Sequence, residues 1–225
     1  MRFGVVRFPG SCDEVDALLA CSRHGEAELL WHGDADVKGV DAVVIPGGFS
    51  YGDYLRCGAI ARFSPVMEAV GRFAAEGGPV LGICNGFQVL CEAGLLPGAL
   101  LANAGRRFLC RQVELEVTAP DTAFTRACAR RRTLSIPVKH TSGRYYAPPA
   151  ALDELEARGQ VALRYGPGQN PNGSARDIAA VLDRGGNVMG LMPHPEHAVD
   201  PLTGSTDGSL LFESLAAHAA GLVPA

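Results

Sequence analysis

The residue whose sequence context best fits a catalytic role is a cysteine that lies between two glycines. Cys84 lies within Gly82-Ile83-Cys84-Asn85-Gly86, where a short apolar run ends and a helix-like segment begins. A Gly-x-nucleophile-x-Gly sequence at such a junction is typical of a nucleophile elbow, a sharp turn whose crowded backbone favours glycine on both sides. Free N–H groups at the start of the next helix would stabilise a thiolate and a developing oxyanion. The pattern predicts a nucleophilic Cys84, although a buried cysteine at a strand end could have the same sequence.

A cysteine nucleophile needs a base, and the base needs a partner that orients it. Among the six histidines, His194 directly follows an apolar strand-like run and is flanked by Pro193 and Pro195, which stiffen the backbone. Glu196 stands two residues further on, so in an extended segment its side chain points to the same side as His194. The spacing predicts a triad of Cys84, His194 and Glu196; the alternative is a charged surface turn.

Other kinds of site fit these residues less well. His194 and Glu196 match the His-x-Glu of zinc deaminases, but the Pro-Cys-x-x-Cys that completes such a site does not occur. His194 and His197 could ligate a metal, but the sequence shows no clustered third ligand, so no metal site is predicted. The chain contains neither a P-loop nor a strand-linked Gly-x-Gly-x-x-Gly, and we therefore expect no ATP, dinucleotide or other cofactor site of its own.

Composition limits the classes of function. The chain has 225 residues, 47% hydrophobic and 20% charged, which is enough for a full α/β core. A net charge of −4 and a pI of about 5.9 argue against a nucleic-acid partner held by general electrostatics. No apolar run has membrane length, and the start is too interrupted for a signal peptide. Seven scattered cysteines without any Cys-x-x-Cys lead us to expect a cytoplasmic protein with free thiols.

The elements that must position Cys84 alternate between strand and helix in the first half of the chain. Helices are predicted after residues 11–13, 64 and 84, and strands at 2–8, 28–32, 41–45 and 79–83. This order predicts an α/β fold with a doubly wound, mainly parallel, flavodoxin-like sheet. Gly47-Gly48 and Cys84 each follow a strand, so right-handed crossovers would place them at the same edge of the sheet.

The second half of the chain has a different pattern of apolar and polar residues. Alternating or apolar segments predict antiparallel additions, with strands at 111–118, 133–138, 160–165 and 178–182, and residues 188–192 are predicted to form a last buried strand. The first helix is expected to carry Val15, Leu18 and Leu19 on its apolar face, with Cys21 as a further candidate. Thr206 or Asp207 is expected to cap the last helix. No interdomain linker is visible, so residues 1–225 are predicted to form one domain.

These motifs resemble those of class I glutamine amidotransferases, and more narrowly those of the glutaminase subunits of phosphoribosylformylglycinamidine synthase. The resemblance covers nearly the whole chain. It is carried by the triad motifs and by longer stretches at 45–65, 77–88, 92–100, 171–174 and 204–208. A match of about twenty residues to one subfamily is far more specific than the short triad motif that many glutaminases share.

The resemblance implies that Cys84 attacks the side-chain amide of glutamine to form a γ-glutamyl thioester, which water converts to glutamate. His194 would accept the thiol proton and then protonate the leaving ammonia, with Glu196 orienting it. The resemblance also implies substrate and oxyanion contacts at positions in the strand-end loop and the elbow helix, namely Gly47, Gly48, Asn85 and Gln88.

A partner is implied because free ammonia is useful only where it is consumed. By resemblance, a separate PurL-like synthetase subunit would bind ATP, Mg²⁺ and formylglycinamide ribonucleotide, and would receive ammonia through an internal channel. A small PurS-like subunit would bridge the two. The loop at 49–59 adjoins the predicted site, so it could contact the synthetase or gate the channel; a rigid lid over glutamine is the alternative.

The chain departs from the family pattern at three places. Residues 9–13 are one residue shorter than usual, residues 139–144 keep only His140 and Gly143 of the usual motif, and His197 replaces arginine. These departures leave the role of His140 open between support of the site, an interface contact and simple solvation.

Two other functions compete with this interpretation. A DJ-1/PfpI-like cysteine hydrolase or chaperone would share the sheet and the elbow, but its histidine usually follows the cysteine directly, where this chain has Asn85. A degenerate amidotransferase that only binds or regulates would usually lack a triad member, and here all three are present.

Overall fold

A mixed sheet of nine strands forms the centre of the computed structural model, which describes residues 1–221; the last four residues of the predicted domain lie outside the described residues. The strands are β1 (Arg2–Arg7), β2 (Glu26–Trp31), β3 (Ala42–Ile45), β4 (Val80–Ile83), β5 (Ala99–Leu101), β6 (Leu109–Val117), β7 (Thr133–His140), β8 (Arg144–Tyr146), β9 (Val161–Tyr165), β10 (Ile178–Leu182) and β11 (Val188–Leu191). The helices are α1 (Glu14–Ser22), α2 (Pro65–Ala75), α3 (Asn85–Glu92), α4 (Pro149–Ala157) and α5 (Ser209–Ala219).

The order of the strands divides the sheet into a parallel and an antiparallel part. The strands lie in the order β2-β1-β3-β4-β11-β10-β9-β6-β7. Neighbours are parallel from β2 to β11 and antiparallel from β11 to β7. The remaining strands, β5 and β8, form a separate antiparallel pair. The predicted doubly wound sheet with antiparallel additions in the second half is therefore confirmed.

The register of the three central strands brings their carboxyl ends to one level. Ile45 of β3 pairs with Gly82 of β4, which pairs in turn with Gly190 of β11. All residues of these strands are buried, as expected for parallel strands covered on both faces. Because the carboxyl ends of parallel strands share one edge of a sheet, the segments that follow β3, β4 and β11 emerge side by side.

The first helix buries the candidate Cys21 but otherwise a different face from the one predicted. Val15 and Leu19 are exposed, with 53% and 58% of their surface accessible, whereas Ala17, Ala20 and Cys21 are fully buried. Small side chains fit this face because α1 packs closely against β1 and β2 and also meets α5 and the turn after β11. Hydrophobicity alone favoured the larger residues, but close packing selected the small ones.

The last helix starts later than predicted. Its N-cap is Gly208, not Thr206 or Asp207. The Asp207 carboxylate instead accepts the backbone N–H of Ser135, at 2.8 Å, and pairs with Arg131. Sequence reasoning missed α4 and the short strands β5 and β8. None of the helices within residues 1–221 combines the length and hydropathy needed to span a membrane.

Candidate active site

Cys84 occupies a strained turn between β4 and α3. Its backbone has φ 50° and ψ −101°, a conformation that non-glycine residues rarely adopt and that is found at functional sites. The glycines on either side are required sterically. A Cβ atom on Gly86 would collide with the carbonyl oxygen of Ile45, and one on Gly82 would lie 2.8 Å from the carbonyl oxygen of Gly86. The geometry is that of the predicted elbow.

His194 and Glu196 lie on the turn that follows β11, and both are almost completely buried. The Nδ1 atom of His194 is 2.6 Å from Oε1 of Glu196, and the backbone N–H of His194 donates to the carbonyl oxygen of Pro137 at 2.8 Å. No group within residues 1–221 forms a hydrogen bond with the other ring nitrogen, Nε2. That nitrogen is therefore free for the Cys84 thiol, which lines the same pocket.

The surroundings of His194 favour its protonated form. Burial alone would lower the pKa of His194, but the negative charges of Glu196 and of a Cys84 thiolate outweigh it and raise this pKa to about 10. An imidazole in this position can hold a proton taken from the thiol and deliver it to a leaving group.

A small pocket with an open mouth lies above Cys84 and is lined by many polar side chains. Six segments line it: the one before α1, the loop after β3, the elbow with α3, the one before β6, the end of β7 and the turn after β11. The lining residues that bear on catalysis or binding are Asp13, Gly48, Cys84, Gln88, Lys139, His140, Ser142 and His194. Segments that are distant in sequence thus meet at the predicted sheet edge.

The two backbone amides predicted to hold an oxyanion have no hydrogen-bond acceptor within residues 1–221. Gly48 lines the pocket, has φ 142° and packs so tightly against the backbone of residues 10–12 that a Cβ atom would lie 2.6 Å from the amide nitrogen of Cys12. Asn85 is the first residue of α3, directly after Cys84. Both predicted donors are therefore unpaired, and their contact with an oxyanion stays a prediction.

Gly47 has a steric role that the sequence did not reveal. A Cβ atom there would lie 2.7 Å from Cε1 of His194 and would collide with a carboxylate oxygen of Asp13. Only glycine leaves room for both side chains beside β3. Gly47 therefore shapes the site by permitting this approach.

Gln88 joins the elbow helix to the loop after β7. Its side-chain oxygen accepts from Nδ2 of Asn85 at 2.9 Å, and its Nε2 donates to the carbonyl oxygen of Ser142 at 2.5 Å. Gln88 also lines the pocket. Beyond the predicted substrate contact, it thus fixes the Ser142 wall of the pocket.

His140 is buried in a polar network that the sequence did not reveal. Its Nδ1 lies 3.0 Å from Oδ1 of Asn103, which also accepts the N–H of Gly143. Since Nδ2 of Asn103 donates to the carbonyl oxygens of Arg107 and His140, its Oδ1 must be the acceptor, and Nδ1 of His140 carries the proton. Burial, helped by the charge of His194, lowers the pKa of His140 to about 4. His140 is therefore neutral and holds the loop next to Ser142 in place.

The contacts of Asp13 in the site were also not predicted from the sequence. Its carboxylate lies 2.5 Å from Nζ of Lys139, 3.4 Å from Nε2 of His197 and 3.6 Å from Nδ1 of His194. The signals in the sequence were the departures from the family pattern: Asp13 lies in the shortened segment 9–13, and the departures at 139 and 197 stand opposite its carboxylate.

Some of these residues, together with Glu196, form a candidate metal site. Asp13, His194, Glu196 and His197 offer ligand atoms that lie within 4.8 Å of one another, so the fold supplies third and fourth ligands that the sequence did not show. However, Asp13 is already bound by the Lys139 ammonium, and Nδ1 of His194 by Glu196. A cation would have to displace both contacts, which makes this donor set a poor fit for a metal.

The loop at 49–59 has a fixed base and an exposed tip. The hydroxyl of Tyr51 lies 2.9 Å from both Nδ1 of His32 and Oγ of Ser64, and Oδ1 of Asp53 accepts from the Asn85 side chain at 3.3 Å. At the tip, by contrast, Leu55 is 91% exposed. The base forms a wall of the pocket, and the tip is free to meet another molecule.

Comparisons with known proteins show the family of this chain. A model of the CobB/CobQ-like glutamine amidotransferase domain family matches residues 1–209. The chain is 60% identical over 220 residues to the phosphoribosylformylglycinamidine synthase subunit PurQ of Rubrobacter xylanophilus, covering 97% of this chain and 99% of that protein. It is 59% identical over 215 residues to the corresponding subunit of Mycobacterium bovis, covering 95% of each.

Solved structures give the same result. A chain of the PurLQS structure from Thermotoga maritima is 41% identical, with a TM-score of 0.89 over 96% of this chain and 98% of that one. The glutaminase domain of the Trypanosoma brucei CTPS shares the fold at 16% identity, with a TM-score of 0.63 over 98% of this chain and 94% of that domain.

Proposed function

The chain belongs to the family of CobB/CobQ-like glutamine amidotransferase domains, and we propose that it is the glutaminase subunit of a phosphoribosylformylglycinamidine synthase. It hydrolyses glutamine to glutamate and supplies the ammonia that converts formylglycinamide ribonucleotide to formylglycinamidine ribonucleotide in purine biosynthesis. The observation that carries the proposal is the arrangement of the strained Cys84 elbow beside the buried pair of His194 and Glu196. The near full-length match to PurQ subunits names the substrate and the pathway.

The first half-reaction forms the thioester. His194 takes the proton from Cys84 at Nε2, and Sγ attacks the side-chain carbonyl carbon of glutamine. The carbonyl oxygen becomes an oxyanion held by the N–H groups of Gly48 and Asn85, each typically worth about 3 kcal/mol in such a site. When the carbon–nitrogen bond breaks, His194 returns its proton to the leaving nitrogen, which departs as ammonia.

The second half-reaction releases glutamate. Water attacks the γ-glutamyl thioester while His194 removes one of its protons, and the new oxyanion occupies the same two N–H groups. The carbon–sulfur bond then breaks, and the proton on His194 returns to Cys84. Glu196 keeps the imidazole oriented throughout and stabilises its positive charge, the role of the third member of a triad.

The ammonia is consumed by partner subunits, as in the PurLQS assembly to which this chain is similar. A PurL-like synthetase binds ATP, Mg²⁺ and the ribonucleotide, so this chain needs no cofactor of its own, and a small PurS-like subunit bridges the two. The docking surface is the exposed apolar rim of the pocket. Phe49 and Phe108 line the pocket and are about half exposed, and Tyr54, Leu55 and Phe63, which lie between β3 and α2, are 74%, 91% and 75% exposed.

Two further properties follow from this role. Residues 1–225 act as one catalytic domain, because the triad and the pocket draw on segments from residue 13 to residue 196. The protein works in the cytoplasm, where its seven thiols remain reduced and purine nucleotides are made.

The competing functions are less consistent with the geometry. A DJ-1/PfpI-like enzyme would have its histidine directly after the elbow cysteine, but Asn85 at that position bonds to Gln88 and Asp53. A binding subunit without activity would not need to keep Cys84 strained or His194 and Glu196 paired and buried.

Transfer of labelled nitrogen tests the function. The chain is mixed with the synthetase and small subunits, ATP, Mg²⁺, formylglycinamide ribonucleotide and glutamine labelled with heavy nitrogen in its side-chain amide. We expect the label in the amidine product, undiluted by unlabelled ammonium that is added at a concentration too low to support amidation by itself. Failure of glutamine to support amidation would contradict the function, and dilution of the label by ammonium would contradict delivery through a channel.

A further inference from the structure

Asp13 stands where a helix-capping residue belongs, but it does not cap its helix. It is the N-cap of α1, a position at which aspartate usually accepts a backbone N–H two or three residues further on. Its side chain makes no such bond. The carboxylate is 3% exposed and points instead into the active site, toward Lys139, His197 and His194.

The packing shows that this orientation is built into the site. Gly47 leaves space for the Asp13 carboxylate and the edge of the His194 ring at the same point, since a Cβ atom there would collide with the first and lie 2.7 Å from the second. Oδ2 of Asp13 is 3.6 Å from Nδ1 of His194, on the side where Glu196 binds at 2.6 Å. The imidazole therefore faces two carboxylates.

Two basic side chains hold Asp13 in its ionised form. Burial alone would raise the pKa of Asp13, but hydrogen bonds from His197 and Lys139 and the charges of His194 and Lys139 lower it well below its usual range. Lys139 and His197 are also residues at which this chain differs from the family pattern. Lys139 extends from the end of β7, where its carbonyl oxygen lies 3.9 Å from Sγ of Cys84.

We propose that Asp13 is a positioning residue of the glutaminase, a second carboxylate that acts together with Glu196 to orient the His194 imidazole and stabilise its positive charge. Lys139 and His197 bind Asp13 and moderate its effect. This inference rests on the proposed function, because it concerns the same catalytic histidine. It adds a residue outside the triad, supplied by the N-terminus of α1.

The titration of His194 is the property through which Asp13 acts. The ionisable groups around the ring are Glu196 and His197 on its own turn, Asp13 from α1, Cys84 from the elbow, and Lys139 and His140 from β7. Ammonia leaves only when His194 carries a proton, so loss of that proton sets the basic limb of the pH profile of kcat/KM. A neighbouring carboxylate favours the charged imidazole, and removal of its charge moves this limb to lower pH.

The test compares this limb in matched variants. Glutamate formation from glutamine is measured across the pH range with the chain assembled with its synthetase and small subunits. For Asp13→Asn, which keeps the shape and removes the charge, we expect the basic limb to move down by about one pH unit, so that kcat/KM falls about tenfold at pH values above the limb. For Lys139→Met, which removes the neutralising charge, we expect the limb to move to higher pH.

A control and an independent readout separate the outcomes. Asp16→Asn removes the same charge from the first turn of α1 and should leave both limbs in place. The amidation rate with ammonia, which does not use this site, should stay at the wild-type value for every variant. If the basic limbs of Asp13→Asn and Lys139→Met coincide with that of the wild type, the inference is wrong. If the wild-type assembly forms no glutamate from glutamine, the proposed function itself fails.

Discussion

Nδ1 of His194 lies 2.6 Å from Oε1 of Glu196 in a part of the protein where neither side chain has more than 3% of its surface accessible. Glu196 thus holds Nδ1, so that Nε2 is the ring nitrogen left for Cys84, and it compensates the charge that develops on the ring. A hydrogen bond to an ionised group is stronger than a neutral one, and burial increases the difference.

Removal of the charge on Glu196 should therefore impair acyl transfer. We expect Glu196→Gln to lower kcat for glutamine by about 10²- to 10⁴-fold, the range for loss of assistance to general acid–base catalysis. Amidation with ammonia should be unchanged. Glu68→Gln, an exposed change on α2, is the matched control. Full glutaminase activity of Glu196→Gln would remove Glu196 from the triad.

Replacement by alanine should have opposite effects on the free energy of unfolding at two glycines of the chain. Gly86→Ala brings a Cβ atom against the carbonyl oxygen of Ile45 and should lower the free energy of unfolding by several kcal/mol or abolish folding, since overpacking at a backbone contact is hard to relieve. Gly71→Ala, on α2, has open space around its Cβ position and should stabilise by about 0.5–1 kcal/mol. Urea unfolding measures both, and equal effects would contradict the crowding at the elbow.

The buried His140 should make stability depend on pH. Its pKa is lowered from 6.5 to about 4 in the folded protein, so between these values the unfolded chain binds a proton that the folded chain does not. Stability should therefore decline as the pH falls from 6.5 to about 4, by up to about 3 kcal/mol from this group. In urea unfolding at several pH values, His140→Asn should remove this part of the decline. Parallel wild-type and variant curves would show that His140 is not neutral and buried.

Gln88 should act on the binding of glutamine. Gln88→Ala releases the carbonyl oxygen of Ser142 and the side chain of Asn85, which loosens one wall of the pocket. We expect KM for glutamine to rise about tenfold, the equivalent of one hydrogen bond, with a smaller change in kcat. Gln112→Ala, exposed on β6, should have no effect. A fall in kcat without a change in KM would instead place Gln88 in the chemical step.

Much of the site could be predicted because its signals are local. The Gly-x-Cys-x-Gly turn, the rigid turn around His194 and the glycines after β3 each stand at the end of a buried strand, and a parallel sheet brings such ends together. Local sequence patterns fail where packing between elements decides which residues are buried. On α1 the buried face is formed by Ala17 and Ala20, because close packing, which no periodicity reveals, outweighs the hydrophobicity of Leu19.

Other residues could not be predicted because their roles depend on contacts across the fold. Asp13 has the sequence signature of a helix cap, and only its distances to Lys139, at 2.5 Å, and to His194 give it another role. His140 has the sequence signature of a strand-end histidine, and its partner Asn103 is 37 residues away in the chain. A single sequence does not reveal which residues that are far apart in the chain contact each other.

The central claim, that Cys84 is the nucleophile that releases ammonia from glutamine, is tested most directly by Cys84→Ala in the assembled synthase. Cys91→Ala, on the helix α3 that follows the elbow and outside the pocket, is the control. We predict that Cys84→Ala loses amidation with glutamine while keeping the full rate with ammonia, and that Cys91→Ala keeps both. Glutamine-dependent amidation by Cys84→Ala at the wild-type rate would contradict the account.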